Sequence, residues 1–171
     1  MSEEVGHGSV HVDYHTFWLS EREDPMPTPG ARPSNGLVSP QPGAVEIWAG
    51  THTGSVPVAV EVRDSAPPAD DVAEWDDVVE TNVQSQRGNL LVTSFFAHMP
   101  KELPNLAGSG AGLYRIRFYV RGRDSGSSYD SYAPAEEYRI ISWPVKQPTP
   151  ERIYKQTDAY GRALRGEDGE A

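Results

Sequence analysis

The chain of 171 residues contains no cysteine. Disulfide bonds, cysteine-ligated zinc and thiol catalysis are therefore excluded. It also lacks an apolar run long enough to span a bilayer. Residues 1–5 include two glutamates where a secretory signal peptide would have Lys or Arg, and no apolar segment follows them. The sequence therefore predicts a cytoplasmic protein.

Positive charge is scarce, with 15 Lys and Arg residues against 25 Asp and Glu residues and a formal net charge of −10. This excess of negative charge opposes non-specific attraction to nucleic acid and to anionic lipid. We therefore expect no direct nucleic-acid partner and no membrane partner. A basic protein is the partner that this charge favours.

Catalytic and cofactor motifs are also missing. The chain has no Gly-x-Ser-x-Gly nucleophile elbow. The Gly-rich segment 108–112 precedes a predicted strand and lacks the Lys of a phosphate-binding loop, so it is interpreted as a turn. The sequence thus predicts a non-catalytic protein with no cofactor.

Alternating apolar and polar residues are the main structural pattern present. In 113–121, Tyr114, Ile116, Phe118 and Val120 alternate with polar residues, which is typical of a strand with one buried face. Apolar patterns of strand type predict the further strands 10–18, 44–49, 56–63, 75–83, 89–97 and 136–145, of which 89–97 has apolar residues on both faces. The predicted fold is all-β, a two-sheet antiparallel β-sandwich of about seven strands with a short C-terminal α-helix.

Turn signals predict how the strands connect. Segment 50–54, with Gly at both ends, and segment 84–88, which ends in Gly88, indicate two hairpins. The segment 20–43 contains six prolines and is predicted to be a long, partly disordered loop. Thr149-Pro150-Glu151 is a helix-start signal, so a helix is predicted at 150–164. We expect disorder at 1–7, one sandwich domain at 8–165 and a disordered tail at 166–171.

The arginines of the strongest strand, Arg115, Arg117 and Arg121, share its outward face. Such a stripe could bind a carboxylate or phosphate ligand. Cross-strand pairing with acidic residues is the favoured interpretation, with Glu80, Glu136 and Glu137 as the candidate partners.

A metal site is one alternative for function. His11, Asp13 and His15 would point to the same side if 10–18 were a continuous strand, and two imidazoles with a carboxylate can ligate a first-row metal. The same pattern also describes an amphipathic strand with a wet face. Both interpretations stay open.

Acidic residues concentrate between positions 64 and 80, around the sequence Ala66-Pro67-Pro68-Ala69. Most runs of this kind are solvated loops. If the run binds a basic protein, Trp75 is a candidate aromatic hot spot within it. The predicted partner-binding residues are then Asp70, Asp71, Glu74, Trp75, Asp76 and Asp77.

Three segments, 10–17, 112–120 and 136–144, together resemble the small bacterial β-sandwich proteins of the competence-protein-J type, which are related to the competence nuclease inhibitor. The resemblance implies a cytoplasmic, acidic protein that binds and silences a nuclease or toxin, as immunity proteins do. Residues 20–43 and 125–131 depart from that pattern. Two other functions remain open: a metal- or small-ligand-binding sandwich at His11, Asp13 and His15, and a structural subunit whose proline-rich loop orders on contact.

Overall fold

The computed structural model describes residues 3–22, 30, 32–94, 99–125 and 135–167. In these ranges the chain forms ten strands, a 3₁₀ turn at Val72–Glu74 and the α-helix α1 at Ala159–Leu164. The strands are β1 Glu4–Val12, β2 Thr16–Glu21, β3 Val38–Gln41, β4 Ala44–Trp48, β5 Gly54–Val62, β6 Asp77–Ser85, β7 Leu90–Thr93, β8 Gly112–Arg121, β9 Glu137–Pro144 and β10 Arg152–Gln156.

The strands form two sheets. One has six strands in the order β1-β5-β9-β8-β6-β10, and the other has four in the order β3-β4-β2-β7. The pair β5 and β9 is parallel, whereas the other strand pairs of the described chain are antiparallel. The predicted all-β sandwich is therefore confirmed, but it has ten described strands rather than about seven.

The main core lies between the inner faces of the two sheets. Tyr114, Ile116, Phe118 and Val120 of β8 are all buried there, as their alternation predicts. The predicted inward residues of β5, Val58, Val60 and Val62, belong to the same core. From the smaller sheet, Phe17, Leu19, Val45 and Ile47 face them.

The first predicted strand, 10–18, is wrong because the chain reverses inside it. Asp13 bridges to Thr16, and the two residues between them adopt positive φ angles, 52° at Tyr14 and 68° at His15. This is the backbone pattern of a type I′ turn. The turn separates β1, in the six-stranded sheet, from β2, in the four-stranded sheet. Apolar alternation continues through the turn, so periodicity alone does not reveal it.

Both predicted hairpins are also wrong. Segment 50–54 joins β4 to β5, and segment 84–88 lies between β6 and β7, and in each case the two strands belong to different sheets. A turn signal marks where the chain reverses, but it does not specify the strand's partner. The predicted strand 89–97 ends at Thr93 in the structure, and residues 95–98 lie outside the described residues.

The proline-rich segment is shorter than predicted. Strand β2 continues to Glu21, and β3 forms at Val38–Gln41 with Pro40 inside it. Proline is tolerated because β3 is an edge strand of its sheet. Residues 23–29 and 31 lie outside the described residues.

The two ends of the chain also differ from the predictions. Strand β1 begins at Glu4, inside the segment predicted to be disordered. Residues 152–156, predicted to be helical, form β10 against β6 instead, and Ile153 is 47% exposed rather than docked. The helix begins only after Asp158, whose side chain accepts a hydrogen bond from the Gly161 amide. Pairing with the open edge of β6 overrides the local helix signal.

No helix in the described ranges is long and apolar enough to cross a membrane.

Candidate protein-binding groove

The outer face of the six-stranded sheet carries a second, smaller core. Its members are Trp75, Val78, Tyr119, Ile141 and Trp143. The acidic segment 64–76 packs onto this face through Trp75 and the half-buried Val72. The segment therefore covers apolar surface, which a fully solvated loop would not do.

One of two neighbouring buried arginines, Arg117, holds the segment in place. Arg115 Nε and Arg117 Nε lie 2.7 Å and 2.8 Å from the two carboxylate oxygens of Glu80, and all three side chains are buried. Arg117 also donates hydrogen bonds to the carbonyl oxygens of Pro67 and Pro68. Arg115 and Arg117 are thus fully engaged within the protein.

Cross-strand pairing of these arginines is confirmed for two of the three predicted acids. Glu80 pairs with Arg115 and Arg117, and Glu137 pairs with Arg121. Glu136 instead accepts hydrogen bonds from the amides of Gly50 and Thr51, each at 2.9 Å. Burial alone would raise the pKa of Glu80, but the hydrogen bonds and charges of Arg115 and Arg117 outweigh it and lower that pKa below its ordinary value.

The six predicted partner-binding residues are in different environments. Asp70 and Glu74 are exposed, and Trp75 is only 7% exposed. Asp71 is half-buried, pairs with Arg139 and accepts a hydrogen bond from the Tyr119 hydroxyl at 3.2 Å. Asp76 accepts a hydrogen bond from the Gly122 amide at 2.9 Å. The structure therefore leaves two exposed carboxylates and gives Asp71 and Asp76 internal partners.

Asp77 is the sixth of these residues, and its carboxylate is completely buried. It lies 3.2 Å from Arg123 Nη2 and accepts hydrogen bonds from the amides of Thr157 and Asp158. Burial raises the pKa of Asp77, and the neighbouring carboxylate of Asp158 adds to that effect. A docking protein cannot reach this group, so its function is to join β6 to the start of α1.

A groove of about 290 Å³ lies beside Trp75, on the outer face of the same sheet. Its floor includes Pro57 and Ala59 of β5, and it extends to the edge of the sheet at His7 of β1. Trp75 and Arg121 line the other side, where the Arg121 guanidinium lies 4.6 Å from the centre of the Trp75 ring.

The charged groups of the groove are mostly paired. Arg139 lies 2.9 Å from Glu61, and Arg121 pairs with Glu137. Both pairs are incompletely buried, with side-chain exposures of 22% for Arg139 and 41% for Arg121. The carboxylate of Glu74, also in the groove lining, forms no ion pair with any residue that the structure describes. It is therefore available to a cation from outside.

The three predicted metal ligands do not share one strand face. His11 belongs to β1, whereas Asp13 and His15 belong to the turn that follows. His15 Nδ1 lies 3.0 Å from the carbonyl oxygen of Ala49, and its ring lies 4.9 Å from that of His52. Within the described ranges, no group of three or more His, Cys, Asp or Glu residues could hold a metal ion. The strand geometry behind this prediction is wrong, and metal binding itself stays a prediction.

Sequence reasoning did not assign Glu61, Glu137, Arg139 or His7 to a shared site, although it named Glu137 as a candidate partner of the β8 arginines. These residues occupy outward positions of three strands, so the alternation of each strand predicts that their side chains face away from the core. Their convergence depends on the order β1-β5-β9-β8, which includes a parallel pair. No local pattern in the sequence encodes that order.

The fold and the groove define a β-sandwich with a charged depression on one outer face. No protein-family model matches the chain, and no curated protein matches its sequence. Among solved structures, the chain is similar to ComJ from Bacillus subtilis, an inhibitor of the DNA degrading activity of NucA. The two proteins share 13% sequence identity with a TM-score of 0.60, and the match covers 85% of this chain and 100% of ComJ. The chain is also similar to the protein of crocagin biosynthetic gene J, with 15% identity, a TM-score of 0.52 and the same coverage. At these identities the similarity establishes the fold.

Proposed function

We propose that this protein is a non-catalytic protein-binding module that inhibits a basic partner, a nuclease or toxin, through the groove beside Trp75. The observation that carries the proposal is the exposed Glu74 carboxylate in the groove lining, without an ion pair among the described residues. The fold similarity to ComJ, whose function is inhibition of a nuclease, supports the same role.

The electrostatics of the groove suit a cationic side chain of the partner. A nuclease that binds phosphates presents Lys and Arg in its cleft, and an acidic surface increases its association rate with such a cleft. Glu74 would receive the cation directly. Asp70 is exposed on the same acidic segment and adds to its negative charge.

The remaining residues of the segment would set the shape of the surface. Asp71 and Asp76 fix its backbone against Arg139 and Gly122, and Trp75 anchors it to the sheet. A rigid acidic segment loses little conformational entropy on binding, which favours affinity. We therefore expect two classes of residue in 70–77: Asp70 and Glu74 contact the partner, and the others position them.

The test is a nuclease inhibition assay. The purified protein is titrated into DNA-degradation reactions of NucA from Bacillus subtilis, and of each basic nuclease that co-purifies with it from the source cell at moderate salt. We expect stoichiometric inhibition of at least one of these enzymes. The double variant Asp70→Asn/Glu74→Gln should weaken inhibition by tenfold or more, because charge pairs at an interface contribute roughly 1.5 kcal/mol or more.

The matched control is Glu102→Gln/Glu167→Gln, which removes the same charge at two exposed positions outside the groove and outside β1. It should inhibit like the unmodified protein. Equal weakening by both double variants would mean that only net charge matters. An absence of inhibition of every nuclease tested would overturn the proposed function.

A further inference from the structure

Strand β1 is an open edge of the six-stranded sheet. It pairs with β5 over nine consecutive residues, from Glu4 to Val12, without a bulge. Apart from this ladder, no backbone group of β1 has a hydrogen-bond partner in the part of the chain that the structure describes. Unpaired N–H and C=O groups along an edge are a template for another strand.

The other edge strands of the described sheets carry features that oppose pairing. β10 contains a register shift between Ile153 and Lys155, and β3 contains Pro40. β7 is only four residues long. In contrast, residues 5–12 of β1 contain no Pro, Lys, Arg, Asp or Glu, although the whole chain has 15 Lys and Arg residues and 25 Asp and Glu residues. From residue 5 to residue 12, β1 is thus a long edge without proline or charge.

We propose that β1 pairs antiparallel with β1 of a second copy of this chain, which joins the two six-stranded sheets into one. Antiparallel pairing centred on Gly8 places His7 opposite Ser9 of the second copy and Glu4 opposite Val12 of the second copy. Within residues 4–12 no acidic residue faces another in this register, although each chain has a net charge of −10, and Glu3 would face Asp13 of the second copy just beyond each end of the strand. Val5, which is 48% exposed, would be covered beside His11 of the second copy.

The pairing has a consequence for the groove. The twofold axis of an antiparallel strand pair is perpendicular to the sheet, so both outer faces point the same way. The groove reaches the edge at His7 and Gly8. A second β1 at about 4.8 Å would continue its floor and add Ser9 of the second copy to its lining. The dimer would therefore present two grooves side by side.

Sedimentation velocity and light scattering across a wide range of protein concentrations test this proposal without a nuclease. We expect a dimer. The variant His7→Glu/Ser9→Glu places two pairs of carboxylates opposite each other and should raise the dimer dissociation constant by roughly tenfold or more. The variant His7→Lys/Ser9→Glu places opposite charges in the same positions and should retain the dimer.

The control Ser109→Glu/Gln147→Glu adds two negative charges at exposed positions outside β1 and should remain dimeric. Residues 7 and 9 are exposed, so the β1 variants should keep the circular dichroism spectrum and melting temperature of the parent. A monomeric parent protein, or a dimer that the Glu/Glu variant does not weaken, would overturn the proposal. Because inhibition is assayed separately, failure of the dimer is distinguishable from failure of the proposed function.

Discussion

Arg123 Nε lies 2.6 Å from Asp158 Oδ2, and both side chains are buried. The same guanidinium contacts Asp77 at 3.2 Å and donates a hydrogen bond to the carbonyl oxygen of Gly36 at 2.9 Å. This cation therefore connects β6, the start of α1 and the segment before β3. Burial of charge is costly unless each charge is paired, so the cluster depends on all of its members.

Removal of this arginine should destabilise the fold strongly. In Arg123→Ala the carboxylates of Asp77 and Asp158 lose their common cation, and the free energy of unfolding should fall by about 3–5 kcal/mol. Urea unfolding followed by tryptophan fluorescence measures the loss. The control is Arg162→Ala on the exposed side of α1, which should change stability by less than about 0.5 kcal/mol. A loss below about 1 kcal/mol for Arg123→Ala would contradict the importance of the cluster.

A single substitution in the turn between β1 and β2 should increase the stability of the protein. Tyr14 is 63% exposed and has a φ of 52°, a conformation that costs a bulky residue energy but suits Asn. Tyr14→Asn should raise the free energy of unfolding by about 0.5–1 kcal/mol, which raises the melting temperature by about 1–4 °C. Tyr14→Val keeps an apolar side chain but is β-branched, and it should lower the melting temperature. A lower melting temperature for Tyr14→Asn would show that the edge contact of Tyr14 with His52 outweighs the strain.

Strand character was predictable from the sequence because it is encoded locally. Alternation in β8 identifies the inward residues Ile116 and Phe118 and the outward residues Arg115 and Arg117, and the structure confirms both sets. Pairing of these arginines with Glu80 could also be anticipated, since a buried cation requires a carboxylate within reach.

Strand partners were not predictable, because they depend on contacts between distant residues. The turn at Tyr14 and His15 contains neither the glycine nor the asparagine that usually marks a type I′ turn. Residues 152–156 have a helix-start signal before them, but they complete the ladder of β6. For the same reason the groove could be anticipated only as far as its acidic segment. Its other charged residues come from strands that are neighbours only in the folded sheet.

Two glycines with similar backbone angles should respond differently to substitution. Gly122 has a φ of 84° and Gly110 a φ of 88°. A Cβ at Gly122 would overlap the carbonyl oxygen of Ala135, whereas nothing lies within 4 Å of a Cβ at Gly110. Gly110→Ala should cost about 1 kcal/mol from the backbone alone. Gly122→Ala should cost roughly 1–3 kcal/mol more, because the strand start at β9 must move. Equal melting temperatures for the two variants would show that the overlap with Ala135 does not affect stability.

The Glu80 cluster should make stability depend on pH in the acidic range. A carboxyl whose pKa is lower in the folded than in the unfolded protein binds fewer protons when folded, so it stabilises the fold above its unfolded value of 4.5. That contribution is lost as the pH falls through the lowered pKa, when Arg115 and Arg117 lose their shared counter-charge. Asp77, whose pKa is raised, contributes the opposite slope above its unfolded value of 3.8.

The two opposing contributions can be separated by mutation. Glu80→Gln keeps the shape of the side chain and removes its titration, so the difference in unfolding free energy between parent and variant should be large near neutral pH and shrink on acidification below 4.5. Urea unfolding at a series of pH values measures that difference. Glu102→Gln, at an exposed position, should give a small difference at every pH. If the Glu80→Gln difference were constant with pH, the charge of Glu80 would not be what holds the two arginines on this face.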